Sequence, residues 1–275
     1  EQLKDGRLDN SGIEVHYRPT DDKDPFQTDI YTLSGNGQEI FSPMFNYKGF
    51  RYAEVKIDNK VDLNKNNLTA YFTHTDVEPI GSVETSNNLI NKIWDATNKA
   101  YLSNLFGYPT DCPQREKNGW TGDAHTVIET ALFNFDGILV YEKWMDDHRD
   151  EQQIDGTLPS IIPTAGWGYS WGNGPDWTSS MILVPWNVYK FYGDTRILEE
   201  NYENMRRYVS KIKSVSKNNL TSWGLGDWVP VKSKSNLEFT SSIFYYTDVL
   251  LISKIAKILG HNNEAFEFKN LEIDI

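Results

Sequence analysis

The sequence predicts a mainly α-helical fold with an N-terminal β portion, and two changes along the chain carry that reading. Up to about Val77, apolar residues alternate with polar ones, as on half-buried strands. From Ser86 onward they recur three and four residues apart, as on one face of a helix. A third observation marks a functional loop: Asp111-Cys-Pro-Gln-Arg-Glu-Lys-Asn-Gly-Trp-Thr-Gly-Asp123 packs three carboxylates, an arginine and a tryptophan into thirteen positions. Pro113, Gly119 and Gly122 keep that stretch out of regular structure.

The β pattern runs from Ile13 to Val77. Asp29–Leu33 and Glu39–Phe41 flank Ser34-Gly-Asn-Gly, where Asn36-Gly37 signals a hairpin. Between Phe50 and Ile57, Ala53, Val55 and Ile57 alternate with Glu54 and Lys56, and Leu68–Thr75 is aromatic and β-branched. These strands are too few for a complete sandwich and read as the last part of a β domain, residues 1–80. The helical part is residues 81–275. Leu89, Ile90, Ile93, Trp94, Thr97 and Tyr101 form one stripe, with Ser86 as the expected N-cap. Further helices are expected near Asp123–Phe133, Gly137–Glu151, Trp177–Tyr192, Thr195–Lys217, Thr240–Leu259 and from Asn263 onward. Asp176 and Asp194 are expected N-caps, and Gly193 and Gly260 stand where helices end. Pro185 predicts a kink or an early break.

A length of 275 residues allows one or two domains with substantial cores. The net charge of −12 argues against a nucleic-acid partner or an anionic membrane surface, which need clustered Lys and Arg. The basic run from Lys211 to Lys217 shares its helix with acids and reads as a solvated face. No apolar run reaches the roughly 20 residues of a membrane span. Cys112 is the sole cysteine, which excludes an internal disulfide, and it reads as a small buried packing residue. His125, His148 and His261 have no metal-ligand spacing, so no metal or other cofactor is expected. Nine Trp and fifteen Tyr fit a carbohydrate ligand, because sugar C–H faces stack on aromatic rings, although most such rings in any protein are core.

Glycoside cleavage needs one carboxyl kept protonated as general acid and others kept ionised to hold hydroxyls. The acidic loop supplies such a set. With its Cys-Pro-Gln-Arg and Gly-Trp-Thr-Gly runs, it closely resembles the signature loop of the bacterial α-L-rhamnosidases of glycoside hydrolase family 78. Ser42-Pro-Met-Phe-Asn-Tyr-Lys-Gly-Phe-Arg-Tyr52, Asp176-Trp-Thr-Ser-Ser-Met-Ile-Leu-Val-Pro-Trp186 and Gly226-Asp-Trp228 are similar to three further segments of that family, so the likeness runs from about Gly12 to the C-terminus. It implies an inverting hydrolase of terminal α-L-rhamnose with an (α/α)₆ barrel. About seven helices can be counted where such a barrel needs twelve, so the expected piece is the end of a β-sandwich-like domain followed by the first half of a barrel.

The resemblance also assigns roles. Glu116 matches the proton donor, and crowding three acids together favours the protonated form in one of them. Asp111 and Asp123 match sugar-binding carboxylates, which accept hydroxyl hydrogen bonds in fixed geometry; Asp123 competes for a role at the start of the following helix. Trp120 matches a ring bordering the sugar, and Arg115 holds the loop or a hydroxyl. In Gly166-Trp-Gly-Tyr-Ser-Trp-Gly-Asn-Gly-Pro-Asp-Trp177, glycines free the rings to line a cleft. Trp177 matches the rhamnose-contacting aromatic, with Trp167 and Trp171 beside it. Asp227 and Trp228 carry over as substrate contacts, since the C6 methyl of rhamnose calls for an apolar wall. The family's base is a later Glu, expected beyond Ile275, so these residues alone are expected not to turn over. Two readings remain open beside this one: a non-catalytic carbohydrate-binding module, and another (α/α)₆ carbohydrate-active enzyme. The resemblance favours a periplasmic or extracellular location, and the oligomeric state is not specified.

Overall fold

The computed structural model describes residues 2–9, 11–14, 26–58, 63–164 and 166–275. It opens on a hairpin that periodicity did not signal: β1 (Gln2–Lys4) pairs antiparallel with β2 (Arg7–Asp9), Leu3 opposite Leu8. Asp5 and Gly6 turn the chain with φ of 53° and 74°, the left-handed pair that a tight two-residue hairpin needs. A short helix, α1 (Ser11–Glu14), follows.

The expected strands at Asp29–Leu33, Glu39–Phe41, Phe50–Ile57 and Leu68–Thr75 are not paired into a sheet among the described residues; residues 15–25 and 59–62 of the β stretch lie outside them. The bend at residues 35–37 does form, and the Tyr31 and Phe41 rings stack across it with centroids 4.8 Å apart. The Glu39 carboxylate, however, takes the Ser34 N–H at 2.9 Å, a side chain standing in for backbone pairing. A lone two-stranded ribbon is marginal in water. Ile30 and Ile40 accordingly lie exposed rather than against a second sheet.

The helical part is formed largely as its periodicity dictates. α2 (Asn88–Ser103) is capped by Asn87 rather than Ser86, because the Asn87 carboxamide reaches the Leu89 N–H at 3.0 Å. Trp94 and Tyr101 face α3 (Thr121–Asn134): the Trp94 indole donates to Asn134 Oδ1, and Tyr101 stacks on Phe135. After α4 (Ile138–Glu151), a single turn, α5 (Pro175–Thr178), precedes α6 (Ser180–Tyr192). Asp176 is therefore not a cap but lies inside α5, whose N-cap is Gly174. The break comes at Ser179, and α6 runs on through Pro185. Apolar on nearly every face, α6 packs against α3, α4, α7 and α8, and that burial outweighs the roughly 3 kcal/mol a mid-helix proline costs.

α7 (Arg196–Val215) is amphipathic, burying Ile197, Leu198, Tyr202, Met205, Tyr208, Val209 and Ile212. Its N-cap is Thr195, one residue after the expected Asp194, which instead accepts the Arg196 N–H at 2.9 Å. Lys211 in the basic run pairs with Asp155, in keeping with a solvated face. α8 (Leu237–Ile258) starts three residues before the predicted Thr240 because Asn236 caps it, and it packs along α9 (Asn262–Asp274). Gly193 and Gly260 take φ of 70° and 83° at their helix ends, as expected. One core joins these helices, centred on Trp144, Tyr141, Met181, Tyr208 and Tyr245. α8 and α9 also turn apolar side chains outward, among them Phe239, Ile243, Phe266 and Ile273.

Candidate active site

The acidic loop is organised by its own cysteine. Cys112 is half-buried, and its thiol donates to Asp111 Oδ2 at 2.8 Å while accepting the Glu116 N–H at 3.3 Å. The expected packing residue is thus a hydrogen-bonded hub of the loop. Asp111 closes the turn by accepting the Asn118 N–H at 3.0 Å. Lys117 adopts a φ of 55° and sends its ammonium to the Tyr47 carbonyl at 2.9 Å. Gly49 lies so close to Pro113 and Gln114 that a β-carbon there would stand 2.9 Å from their backbone. The Ser42–Tyr52 segment is therefore seated directly on the acidic loop.

Beyond the loop a cavity of about 570 Å³ opens between α2, α3, α5, the turn at Gly226–Trp228 and α8. Asp111, Asp123, Trp177, Asp227 and Trp228, all predicted site residues, line it. Asp123 stands in the first turn of α3, so it serves the helix start and the cavity at once. Gly122 makes this arrangement possible: a β-carbon there would stand 2.9 Å from the Trp177 ring, so only glycine lets that indole lie against α3. Trp228 meets Trp177 edge-on with centroids 6.1 Å apart. The Ser235 side chain, and then the Ser235 N–H that Asp227 Oδ2 accepts, hold the Asp227 carboxyl below the usual carboxylate range.

Glu116, Arg115 and Trp120 are not part of the cavity lining. Glu116 is exposed beside it, with Oε2 taking the Trp120 indole N–H at 2.7 Å. Trp120 is buried at the N-cap of α3, and its ring packs against Trp167 and Trp171, which also stand outside the lining. Arg115 is exposed and makes no ion pair among the described residues.

The three carboxylates nonetheless feel one another. Asp123 opens toward the cleft, yet the protein crowding it, then the charge of Asp111 and less so that of Glu116, push its carboxyl up to about 6. Burial likewise raises Asp111; the Cys112 thiol opposes the shift and the Glu116 charge reinforces it.

Among the lining residues that sequence reasoning did not assign to the site are Asp176, His125, Tyr101 and Phe244. Asp176 lay inside a quoted motif, but its role as acceptor of the Leu225 and Gly226 N–H groups spans about fifty residues, and nothing local signals it. Burial raises Asp176, although those two amides pull it back. His125 contacts the Asp176 carbonyl at 3.1 Å, and burial keeps its imidazole below the ordinary histidine range. Away from the cavity, His148 lies on α4, its ring buried between the Trp144 carbonyl and Ser180 Oγ, and burial pushes it down to about 4. Among the described residues no three His, Cys, Asp or Glu side chains are grouped to hold a metal ion, and no helix is long and apolar enough to cross a membrane.

Comparison with known proteins is consistent along the chain. The six-hairpin glycosidase domain of bacterial α-L-rhamnosidases matches residues 78–275, and the concanavalin-like domain of the same proteins matches residues 1–74. An α-L-rhamnosidase of Formosa agariphila is 33% identical over 257 residues, covering 86% of this chain and 26% of the relative. The solved α-L-rhamnosidase of Dictyoglumus thermophilum superposes with a TM-score of 0.69 at 39% identity, over 73% of this chain and 23% of that one. That of Streptomyces avermitilis, solved with L-rhamnose, gives 0.69 at 26% identity, over 73% and 19%. The chain spans about a quarter of the length of the curated relatives it matches.

Proposed function

This chain belongs to the bacterial α-L-rhamnosidases, and on that premise we propose that it carries the sugar-binding and proton-donating side of an inverting hydrolase of terminal α-L-rhamnosides. The observation that carries the proposal is the convergence of Asp111 and Asp123 with Trp177, Asp227 and Trp228 on one cavity, with Glu116 close enough to raise the proton affinity of both aspartates. In this reading residues 1–80 close a β-sandwich-like domain and residues 81–275 form the first half of an (α/α)₆ barrel. The helix packing around α6 supports the second assignment.

The L-rhamnosyl ring sits in the cavity. Asp111 and Asp123, ionised, accept hydrogen bonds from its vicinal hydroxyls, and Asp227 takes a further one. The Trp177 and Trp228 rings give the C6 methyl an apolar wall, where a hydroxymethyl group would lose its water partners. Glu116 gives its proton to the glycosidic oxygen as the bond from C1 breaks, so the leaving group departs as a neutral alcohol. Water adds to C1 from the opposite face and loses its proton to a carboxylate that must stand roughly 6.5–9.5 Å from the acid. We assign that base to a residue outside the lining of this cavity. Trp120 holds the loop that presents Glu116 through its indole bond to the acid itself.

The test is leaving-group dependence in the full-length gene product. Glu116→Gln is expected to cut kcat by about 10²–10⁴-fold on an alkyl rhamnoside, the usual range for general acid catalysis. On an activated aryl rhamnoside, which needs little protonation, the loss should be much smaller. Equal losses on both would mean that Glu116 holds the sugar rather than donating a proton.

A further inference from the structure

Two large aromatic side chains stay partly exposed although the loop that bears them is tied down. Glu151 fastens one part of this loop, accepting the Thr164 N–H at 3.1 Å and the Tyr169 hydroxyl at 2.8 Å. Ser160 Oγ donates to the Trp171 carbonyl at 3.0 Å. The Asn173 carboxamide, itself buried, donates to the carbonyls of Leu158 and Tyr169 at 3.2 and 2.7 Å. Yet Trp167 and Trp171 remain 40% and 48% exposed, their rings stacked at 6.0 Å with an interplanar angle of 30°. A loop packed only for stability would turn at least one of these indoles inward, since each could bury well over 100 Å² of surface.

We infer that Trp167 and Trp171 form the leaving-group subsite, a stacking platform for the first six-membered ring on the far side of the scissile bond. This rests on the reading of Glu116 as proton donor. A donor must lie within hydrogen-bond reach of the glycosidic oxygen, and that oxygen is bonded to the rhamnosyl C1 on one side and to the leaving group on the other. The leaving group therefore begins within a bond or two of the Glu116 carboxyl. Glu116 Oε2 is 2.7 Å from the Trp120 indole nitrogen, and the Trp171 and Trp167 rings stand 5.7 and 5.9 Å from the Trp120 ring. The rhamnosyl unit fills the cavity, Glu116 stands at its edge, and the indole pair lies outside it, where the departing ring must go. The chemistry recognised is a flat-faced ring, either the C–H face of a pyranose or the π-face of an aromatic aglycone.

The full-length gene product and its Trp171→Ala, Trp167→Ala and Trp171→Phe variants would be assayed on three substrates with the same α-L-rhamnosyl group. Methyl α-L-rhamnoside has no leaving-group ring, an α-L-rhamnosyl-glucose disaccharide offers a pyranose, and an aryl α-L-rhamnoside offers a planar aromatic. Either alanine variant is expected to raise KM about three- to tenfold on the ring-bearing substrates, the range of one lost ring contact. On the methyl glycoside KM should stay within about twofold of the unsubstituted protein. Trp171→Phe keeps a ring in place and should recover most of the loss, which separates a missing contact from a misfolded loop. A loss on only one ring-bearing substrate still supports the platform and identifies its ring. Equal changes on all three substrates, or none on any, overturn it while leaving the rhamnosidase reading intact. If the unsubstituted protein releases no L-rhamnose from any of them, that reading falls and this inference with it.

Discussion

Gly122→Ala tests whether the cavity wall is built as described, because opposing effects of known size meet at that position. A β-carbon there would stand 2.9 Å from three atoms of the Trp177 indole, whereas carbon atoms rest at about 3.5–4.0 Å. The ring must therefore retreat by about 0.6–1 Å, and Trp228 packs edge-on against it. Forcing a methyl group into such a contact costs about 1–3 kcal/mol. Gly122 is also the second residue of α3, where alanine in place of glycine returns up to about 1 kcal/mol of helix propensity. The net expectation is a loss of about 0–2 kcal/mol, read from the midpoint and slope of urea unfolding. Function should suffer far more than stability, because displacing a positioning group by about 1 Å can cost on the order of 10²-fold in rate. In the full-length gene product, a fall in kcat/KM of about 10- to 100-fold on methyl α-L-rhamnoside, with a fold close to native in stability, is the expected pair of results. A variant stabilised by about 1 kcal/mol with unchanged kcat/KM would refute the reasoning, for the indole would then not be held against α3.

Further outcomes follow from the same site. Asp123 has a folded value near 6, above its ordinary value of 3.8, so the folded state keeps that proton longer than the unfolded chain. Its contribution to stability is full below about 3.8 and is lost as pH rises through 6, while sugar binding, which uses the ionised form, strengthens over the same interval. Asp123→Asn should flatten that arm of the pH profile of KM, and an unchanged arm would assign it to another group. Cys112→Ala removes the thiol bond to Asp111 and the acceptor for the Glu116 amide, and should cost about 1 kcal/mol in stability with a several-fold loss of kcat; Cys112→Ser should recover much of both. These 275 residues alone are expected to release no L-rhamnose from an aryl α-L-rhamnoside, whereas a polypeptide supplying the remaining helices of the barrel should; release by the short chain would place the base within it.

What could be read in advance depended on how far along the chain each determinant reaches. The helices were legible because a stripe recurring every three or four residues is local, and α4, α6 and α7 lie close to their predicted positions. Their ends were less so: Asn87 displaced Ser86 because caps compete within a residue or two, and the break moved from Pro185 to Ser179 once four neighbouring helices had buried α6. The strands fared worst, since a strand is stabilised by partners that sequence does not name. At the site, the Asp111–Asp123 loop was readable as a motif. That Trp177 borders the cavity whereas Trp167 and Trp171 pack on Trp120 outside it was not, because glycine-separated indoles carry no periodicity to say which way each ring turns.

Asp176 shows why the hidden part of the site matters to the visible part. It is buried in α5 and takes two N–H groups from the turn that presents Asp227 and Trp228, so one carboxylate ties both aromatic walls of the cavity together. The turn can come so close only because Gly224, at φ 153°, has no side chain: a β-carbon there would stand 2.5 Å from Asp176 Oδ1 and 2.7 Å from Ser241 Oγ. Gly174 meets the same loop from the other side, where its β-carbon would stand 2.5 Å from the Gly224 α-carbon. One turn further into the core, Ser179 donates to Asp248, which burial pushes well above the usual carboxylate range. That shift favours the neutral acid, which suits a buried polar contact between Ser179, at the start of α6, and α8. The acids thus run from Asp248 in the core, through the amide-bound Asp176 in the cavity wall, to Asp111 and Asp123 lining the same cavity.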